Sequence, residues 1–347
     1  MSEFVKYSSI ENSYQQRFLD KCAMHVGDAQ MVAVEKIHGA NFSWIADGTT
    51  IRVASRNDLI DELETFYGHT RFFSRYKPVV QALFGLVKGE FPGLVQINLF
   101  GEIFGGSYNG TGAQSAKKVQ GGVNYHPDNE FMAFDLKLTF DTGISRYVPF
   151  MDLVDLLFDA NFIARLSFAD RMRHAPIIKI GTLEELIKID PLFYTHVPQA
   201  YGLETEFREK TPVDYAEGFV ICGYEEDFYI GNERVILKQK NHLYGEKVKE
   251  VKIKSAVNLS DEQQALLDKV CSYMSENRVN AVVSKSVYDQ KSFGRLQGDF
   301  TRDALEDFEK DHGYKAQETE EWNVLGKRVG AHAASVIKPV WLTLDFA

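Results

Sequence analysis

The sequence is poor in cysteine, with only Cys22, Cys222 and Cys271 among its 347 residues. Their odd number and wide spacing exclude a disulfide framework and match no zinc-binding pattern. We therefore expect a protein of a reducing compartment and predict a cytoplasmic location.

Long hydrophobic runs are also missing. No segment approaches the ~18 consecutive apolar residues of a membrane-spanning helix. The first residues, MSEFVKYSSIENSY, lack the basic and apolar regions of a secretory signal. We expect no membrane partner.

The sequence has no excess of positive charge, because 39 basic residues face 49 acidic ones and the net charge is −10. This balance argues against non-specific coating of nucleic acid but leaves room for a local basic groove. Six lysines between residues 238 and 254 form one basic segment. Taken alone, such a run is typical of a solvated, charged face.

Several common catalytic motifs are absent. There is no G-x-x-x-x-G-K-[ST] loop and no strand–G-x-G-x-x-G–helix unit, so any use of ATP does not involve a P-loop or Rossmann site. The G-x-S-x-G and H-E-x-x-H motifs of hydrolases and metalloproteases are missing too.

The front of the chain reads as a mixture of strands and helices. The length suggests about two domains, and a hydrophobic content of 44% with 25% charged residues is typical of a globular protein. Asp47-Gly48 predicts a hairpin within the strands of 31–56. Alternation and short apolar runs predict further strands, helices and one Gly-rich loop: strands at 95–103, 131–140, 218–223 and 234–238, helices at 79–87, 152–158 and from Thr182, and a loop at 105–123.

The pattern changes near residue 258. Ser260-x-x-Gln263 is a capping box, and apolar residues at helical spacing follow it. Further helices are predicted at 275–287, 301–311 and 319–337. We therefore predict an α+β domain with antiparallel sheets over 1–255 and a small all-α domain over 259–347, with the boundary at 255–258.

One short motif could supply a nucleophile. In Glu35-Lys36-Ile37-His38-Gly39 a strand ends, and its period of two places Lys36 and His38 on one face. A lysine amine near other cations or away from water can serve as a nucleophile. Alone, the motif is more typical of an ordinary turn after a strand than of a catalytic site.

The other residues of interest follow this motif in a fixed order. Each has an ordinary structural interpretation by itself, as a strand end, a core residue or an exposed edge. The order is much harder to obtain by chance: Ser55-Arg56-Asn57, Phe100-Gly101-Glu102, Phe134-Asp135, Glu217-Gly218-Phe219-Val220 and Leu237-Lys238-Gln239-Lys240.

This series resembles the motifs of the covalent nucleotidyltransferases, a superfamily of ATP-dependent ligases and RNA capping enzymes. It is most similar to the RNA ligase 2 family, which includes a phage T4 enzyme and the trypanosome RNA-editing ligases. Histidine at His38, where DNA ligases have aspartate, is a family feature. So are the segments Glu35–Ser43, Lys6–Asn12 and Asn277–Lys285. The Gly-rich loop 105–123 is longer than the family pattern.

The resemblance implies an ATP-dependent RNA ligase that joins a 3′-hydroxyl to a 5′-phosphate, as expected for RNA repair or editing. Lys36 would attack the α-phosphorus of ATP, AMP would pass to the RNA 5′-phosphate, and the 3′-hydroxyl would then displace AMP. The expected substrate is nicked duplex RNA and the expected state a monomer, in the host cytoplasm if the source is viral.

The resemblance also implies roles for single residues. Lys238 and Lys240 would promote loss of the Lys36 proton and stabilise phosphate charge. His38 would orient the pyrophosphate leaving group. Glu217 and Glu102 would serve a Mg²⁺ ion, with Mn²⁺ as a substitute, and Glu102 would position the ribose. The remaining nucleotide contacts would come from Glu35, Asn41, Arg56 and Phe134.

Two alternatives stay open at this stage. A DNA ligase or a GTP-dependent capping enzyme of the same superfamily would share most of the motifs. K-x-H-G and the lack of an evident β-barrel domain after residue 240 argue against both. A non-catalytic RNA-binding relative would require an idle Lys36 among a full set of polar site residues.

Overall fold

The computed structural model describes residues 3–61, 66–108, 116–203, 214–246 and 259–344. The chain divides into two compact units, Met1–His242 and Leu243–Ala347. The predicted α+β class, with mainly antiparallel sheets followed by helices, is confirmed. The predicted boundary at 255–258 lies outside the described residues, so the predicted domain limits stay predictions.

The first unit is built on two sheets. The larger sheet has the strand order β5-β4-β3-β6-β7-β8, with β9 beside β7, and the smaller has the order β1-β14-β11-β2-β10. The strands are β1 Glu11–Asn12, β2 Met31–Lys36, β3 Ala40–Ala46, β4 Ile51–Ser55, β5 Leu59–Ile60, β6 Leu94–Ser107, β7 His126–Phe140, β8 Ser145–Tyr147, β9 Arg173–His174, β10 Ile177–Gly181, β11 Gly218–Gly223, β12 Tyr229–Ile230, β13 Glu233–Arg234 and β14 Leu237–Lys240.

Helices cover one face of each sheet. In the described part of the chain the helices of this unit are α1 Gln16–Val26, α2 Thr70–Glu90, α3 Phe150–Ile163, α4 Leu183–Leu186 and α5 Val197–Ala200, and those of the second unit are α6 Asp261–Cys271, α7 Glu276–Val283, α8 Phe293–His312 and α9 Trp322–Thr343. Cys22 of α1 and Leu186 of α4 pack with Ala33, Phe219 and Leu237 on the smaller sheet. The opposite face of that sheet therefore remains for the polar residues of β2, β11 and β14.

The larger sheet packs against an aromatic cluster on α2. Phe42 and Trp44 of β3 contact Phe72 of α2 at centroid distances of 5.8 and 6.4 Å, and Phe131 of β7 joins them. These even-numbered residues of β3 face α2. Asn41 directly precedes Phe42 in β3 and therefore points to the opposite face.

Several predicted boundaries are wrong, and each error has a local cause. The predicted helix 79–87 begins at Thr70, because the turns before Pro78 are held by the buried Phe72 and Tyr76. The predicted loop starting at Gly105 begins as strand, because β6 continues to Ser107. The loop residues 109–115 lie outside the described residues.

The predicted single strand 234–238 is also wrong. Arg234 ends β13, which pairs with β12, whereas Leu237 begins β14 in the smaller sheet. The chain thus changes sheets at Val235 and Ile236. The hairpin at Asp47-Gly48, the helix starting at Thr182 and the capping box at Ser260 are confirmed.

The second unit has its own apolar core. Leu267, Val282, Phe300, Phe308 and Val329 come from α6, α7, α8 and α9 and are all buried together. The helices are displaced or lengthened relative to the sequence prediction: α7 is shorter than 275–287, while α8 and α9 are longer than 301–311 and 319–337.

One buried arginine organises the polar part of this unit. Arg278 of α7 is 1% exposed and forms ion pairs with Asp303, Asp307 and Glu246, the last two at 2.7 and 3.4 Å. Three carboxylates offset the cost of burying its charge. The pairs connect α7, α8 and the residues just before the undescribed segment 247–258.

Candidate active site

The candidate active site lies at one end of three neighbouring strands of the smaller sheet, where β2 and β14 end and β11 begins. Gly218 of β11 lies directly opposite Lys36 of β2 on one side and Lys240 of β14 on the other. Cross-strand neighbours lie about 5 Å apart, so the two lysines flank a residue without a side chain. This arrangement leaves the space between their amines open to Glu217, the residue before it.

The carboxylate of Glu217 joins the basic residues predicted from the sequence. Its Oε2 lies 2.7 Å from Lys36 Nζ and 3.4 Å from His38 Nδ1, and its Oε1 lies 2.8 Å from Lys240 Nζ. The Glu217 side chain is 4% exposed, whereas the amines of the two lysines belong to side chains about one-fifth exposed, at 23% and 18%. The lysines are therefore accessible on the side away from the carboxylate.

The charge of Glu217 is stabilised by these partners. Burial by itself would raise the pKa of this carboxyl, but Lys240 and Lys36, with His38, hold it well below the usual range. Glu217 is thus a carboxylate at neutral pH and a poor proton acceptor. Its contacts suit it to orient Lys36 rather than to deprotonate it.

Gly218 is required by its backbone conformation. Its φ is +143°, and a Cβ atom would lie 2.0 Å from the carbonyl oxygen of Gln239. Only glycine tolerates both the conformation and the close approach of β14. Glu217 and Gly218 therefore act together, because the glycine allows β14, which contains Lys240, to lie close to Glu217.

Asn41 and Glu102 form the adjoining part of the site. They are directly opposite each other in the pairing of β3 with β6. Burial raises the pKa of Glu102 to about 8, with Lys36 lowering and Glu217 raising it. Asn41 Oδ1 is buried and has no hydrogen-bond partner among the described residues. An unpaired buried acceptor is a vacancy that a ligand hydroxyl would fill.

A bulge in β7 places Phe134. Phe100 pairs with Asp135 and Gly101 with Ala133, so Phe134 is the extra residue between them. A bulge redirects the side chain of the inserted residue. Phe134 is partly exposed and meets Tyr7 edge-on, with ring centroids 5.1 Å apart.

The sequence did not predict a network of buried polar side chains around Asp135, the residue after Phe134. Asp135 accepts a hydrogen bond from Tyr7 Oη at 2.9 Å and pairs with Arg234, which also contacts Asp227 at 2.8 Å. This network joins β7 to the β12–β13 hairpin behind Phe134. Phe134-Asp135 was the only available signal; the partners are 99 and 128 residues distant in sequence.

The remaining predicted residues differ in how close they lie to this cluster. Arg56 influences the carboxyl of Glu102 and donates to Ser8 O at 3.4 Å. Lys238 lies on the same face of β14 as Lys240, two residues away. Glu35 lies on the other face of β2, where its carboxylate accepts hydrogen bonds from Thr195 Oγ1 at 2.5 Å and His196 N at 2.8 Å.

The described residues fit a nucleotide and a divalent cation. Glu102 and Glu217 have carboxyl oxygens, the kind of ligand that Mg²⁺ prefers, and Asn41 has a buried oxygen acceptor without a partner among the described residues. No group of three or more His, Cys, Asp or Glu side chains able to hold a metal occurs in the part of the chain that the structure describes. A cation here would therefore depend on phosphate oxygens for most of its ligands.

Comparison with known proteins agrees with this geometry. The model of the family described as RNA ligase matches residues 29–240, more than half of the chain and the whole of the cluster around Glu217. The chain belongs to the RNA ligase family. A second family model, described as the T4 RNA ligase 2 C-terminal region, matches residues 256–335, which places the chain among the RNA ligase 2-like members.

Curated relatives have the same family name. RNA-editing ligase 1, mitochondrial, of Trypanosoma brucei brucei is 26% identical over 246 residues, which cover 63% of this chain and 50% of that protein. RNA-editing ligase 2, mitochondrial, is 25% identical over 243 residues, covering 63% and 55%. The chain thus spans about half the length of the curated relatives it matches.

Solved structures show a more distant likeness. A Naegleria gruberi RNA ligase mutant with ATP and Mn has a TM-score of 0.48 and 17% identity, covering 70% of this chain and 58% of that one. Within the described residues, no helix is both long enough and apolar enough to cross a membrane. The predicted family is confirmed, whereas the roles assigned to single residues stay predictions.

Proposed function

We propose that this chain is an ATP-dependent RNA ligase that works through a covalent lysyl-AMP intermediate on Lys36. The observation that supports this most strongly is the convergence of Lys36, Lys240 and His38 on the Glu217 carboxylate. Two accessible amines on one buried carboxylate form a positive site that suits the phosphates of a nucleotide. Family membership and the names of the relatives agree with it.

In the first step Lys36 Nζ, as the free amine, attacks the α-phosphorus of ATP. A nitrogen–phosphorus bond forms, the bond to the bridging oxygen breaks, pyrophosphate leaves with the electron pair, and the nitrogen releases one proton to solvent. The amine must first move away from Glu217 Oε2, its partner at 2.7 Å. Lys240 would neutralise the phosphate while Glu217 holds the strand ends in place.

The nucleotide contacts follow from the adjoining residues. Asn41 Oδ1 would accept a ribose hydroxyl, Phe134 would stack on the adenine, and Arg56 would contact the phosphates. Glu102 and Glu217 would hold Mg²⁺ together with the nucleotide, and Mn²⁺ could replace it. When bound, the cation supplies charge neutralisation for the pyrophosphate leaving group. The carboxylate of Glu35 faces away from Lys36, so its effect on the nucleotide would be indirect.

The later steps use RNA. The AMP would pass from Lys36 to an RNA 5′-phosphate, and an RNA 3′-hydroxyl would then attack that phosphate and release AMP. Nicked duplex RNA is the proposed substrate, because the helical unit matches the C-terminal region of T4 RNA ligase 2. A monomer is the expected state. The cytoplasmic location stays a prediction, since both curated relatives are named mitochondrial.

Transfer of label from ATP tests the proposal. The wild-type chain with Mg²⁺ and α-labelled ATP should show label at the protein's mass on a denaturing gel. Lys36→Ala should lose this label, whereas the control Lys188→Ala should keep it, because Lys188 is an exposed lysine just after α4 that pairs with Glu184. Label retained in Lys36→Ala would contradict the nucleophile, and labelling by GTP instead would favour a capping enzyme.

A substrate panel tests the choice of nucleic acid. Sealing should be fastest on a nicked RNA duplex, slower on single-stranded RNA, and reduced when DNA replaces RNA on the 3′-hydroxyl side of the nick. Preference for an all-DNA nick would support a DNA ligase instead.

A further inference from the structure

The segment Lys117–Tyr125, here called the docking segment, follows residues 109–115 of the Gly-rich loop. It is fixed to the end of β6 and to β7. Val119 N donates to Gly105 O at 3.1 Å, Asn129 Nδ2 donates to Lys117 O at 2.7 Å, and Ser107 Oγ donates to Asn124 Oδ1 at 3.2 Å. The docking segment is therefore well anchored although none of the family motifs lies in it.

Two side chains of the docking segment reach the turn that follows Lys36. Tyr125 Oη accepts a hydrogen bond from His38 N at 2.9 Å, and Gln120 Nε2 donates to Gly39 O at 3.1 Å. Tyr125 is 1% exposed, and its ring packs edge-on against Phe104 with centroids 5.4 Å apart. A buried ring held in this way keeps its hydroxyl in one place.

The turn needs such partners because the sheet ends before it. β2 stops at Lys36, and the next strand begins at Ala40. On its other side the turn is limited by β6, where a Cβ atom at Gly39 would lie 2.0 Å from Ile103 O. The turn is therefore held between β6 and the docking segment, and its polar groups require hydrogen bonds outside the ladder.

We propose that Tyr125 and Gln120 are positioning residues for nucleotidyl transfer, because their hydrogen bonds fix the turn that aims Lys36 and His38 at the α-phosphate. This inference rests on the proposed function of Lys36 as nucleophile. It gives the Gly-rich loop, which is longer than in the family pattern, a part in the first chemical step.

The inference predicts an effect on one step only. Aim matters when the Lys36 amine attacks, because small errors in the approach of a nucleophile slow the reaction strongly. Sealing of RNA that already has a 5′-adenylyl group does not use Lys36 as a nucleophile. Loss of the Tyr125 hydroxyl should therefore slow adenylylation without slowing the sealing of pre-adenylylated RNA.

The test compares Tyr125→Phe and Gln120→Met with wild type in the full chain. Tyr108→Phe is the matched control, because Tyr108 is a buried tyrosine of the same Gly-rich region whose hydroxyl donates to Leu203 O at 2.6 Å. We expect single-turnover adenylylation at saturating ATP to fall about tenfold in Tyr125→Phe. The adenylylation rate should also fall in Gln120→Met, whereas in Tyr108→Phe it should stay within about twofold of the wild-type rate.

The other readouts separate positioning from a general loss of structure. Half-saturation by ATP and sealing of pre-adenylylated RNA should stay within about twofold of wild type in both variants. Equal losses in both steps, or wild-type adenylylation in Tyr125→Phe and Gln120→Met, would overturn the inference while leaving the proposed function intact. A wild-type chain that forms no AMP adduct would overturn the proposed function and this inference with it.

Discussion

At the scale of single residues, the site is organised by one carboxylate rather than by the nucleophile. Glu217 is 3% exposed, and it contacts both Lys36 and Lys240. A buried carboxylate with two ammonium partners keeps its charge, and each ammonium is held in place by it. Removing either lysine therefore changes the contacts that hold the other in place.

Lys240 should matter more for the chemical step than its place at a strand end suggests. Lys240→Met leaves Lys36 as the sole ammonium in contact with Glu217 and removes a cation from the phosphate site. We expect single-turnover adenylylation to fall by about 100-fold or more, as when one electrostatic contact to a transition state is lost. Lys238→Met should slow the same step to a smaller extent.

A matched control for these variants is Lys179→Met, an exposed lysine of β10 in the same sheet. Its adenylylation rate should equal that of wild type. Wild-type rates in Lys240→Met would contradict the assignment of β14 to the active site.

Glu35 should make the stability of the first unit depend on pH. Burial raises the pKa of Glu35 to about 7, although the donors Thr195 and His196 lower it. In an unfolded chain the value is about 4.3. Between these two pH values the folded chain has Glu35 protonated and the unfolded chain does not, so the free energy of unfolding falls as the pH rises. The stability that protonated Glu35 contributes is therefore fully present below about pH 4.3 and is lost as the pH rises to about 7.

The comparison of Glu35→Gln with wild type isolates this effect. The melting temperature of wild type relative to Glu35→Gln should fall between pH 5 and pH 8 and then level off. Thermal unfolding monitored by circular dichroism, without nucleotide, measures it. A constant difference across this range would show that Glu35 does not titrate there.

At the scale of secondary-structure elements, the glycine in β11 sets the distance between strands. Gly218→Ala would place a methyl group 2.0 Å from Gln239 O in β14 at a φ of +143°. β14 must then move away, and Lys240 with it. We expect adenylylation to be lost and stability to fall by more than the about 1 kcal/mol of an ordinary Gly-to-Ala change at positive φ.

Gly231→Ala is the matched control for this prediction. Gly231 also has a positive φ, +61°, but its added Cβ would meet no atom within 4 Å. It should show the conformational cost alone and keep its adenylylation rate. If both variants adenylylate equally, close approach of β14 is not what the reaction requires.

The elements also show how far the sequence could predict the site. Alternation predicts one face for Lys238 and Lys240, and β14 contains both, since a strand's period is a local property. His38 lies beyond the end of β2, so alternation does not explain why it contacts Glu217 together with Lys36. The pairing of β2 with β11 and of β11 with β14 joins residues about 180 and 20 positions apart and depends on the whole fold. Only the resemblance to a known family put these motifs together.

Other features escaped prediction because they depend on tertiary packing. The bulge at Phe134 arises from the register between β6 and β7, and nothing in F-M-A-F-D marks it. Arg234 read as part of a continuous strand, yet it turns to Asp135 and Asp227 as the chain changes sheets. The hydrogen bonds between the docking segment and the turn after Lys36 could not be predicted either, because they join a polar loop to a motif 80 to 90 residues earlier in the sequence.

At the scale of the whole molecule, the residues proposed for catalysis and the C-terminal helices belong to different compact units of the chain. The residues proposed for nucleotidyl transfer all lie before residue 241, inside the unit Met1–His242. The helical unit has an independent core and begins with residues 243–246, whose carbonyl groups are bound by α7. Ser275 Oγ donates to Glu246 O at 3.0 Å, and Asn277 Nδ2 donates to Gly245 O at 3.0 Å.

This division predicts different results for two truncations. A chain of residues 1–242 ends where the first compact unit ends, and 1–255 adds the first residues of the second unit. Both should fold and form the AMP adduct, because Lys36, Lys240 and Glu217 and the contacts among them lie within the first unit. Their adenylylation rates should lie within about twofold of each other.

Sealing should separate the truncated chains from the full one. If the helical unit binds the RNA duplex, its removal costs binding energy that positions the ends, and sealing of a pre-adenylylated nick at low RNA concentration should fall about tenfold or more. Raising the RNA concentration should recover part of the rate, because weak binding is overcome by mass action whereas damaged chemistry is not. Single-turnover sealing against RNA concentration distinguishes these cases. A truncated chain that seals as fast as the full one would show that residues 243–347 serve a purpose other than binding this RNA, since the chemistry of the first unit would then suffice.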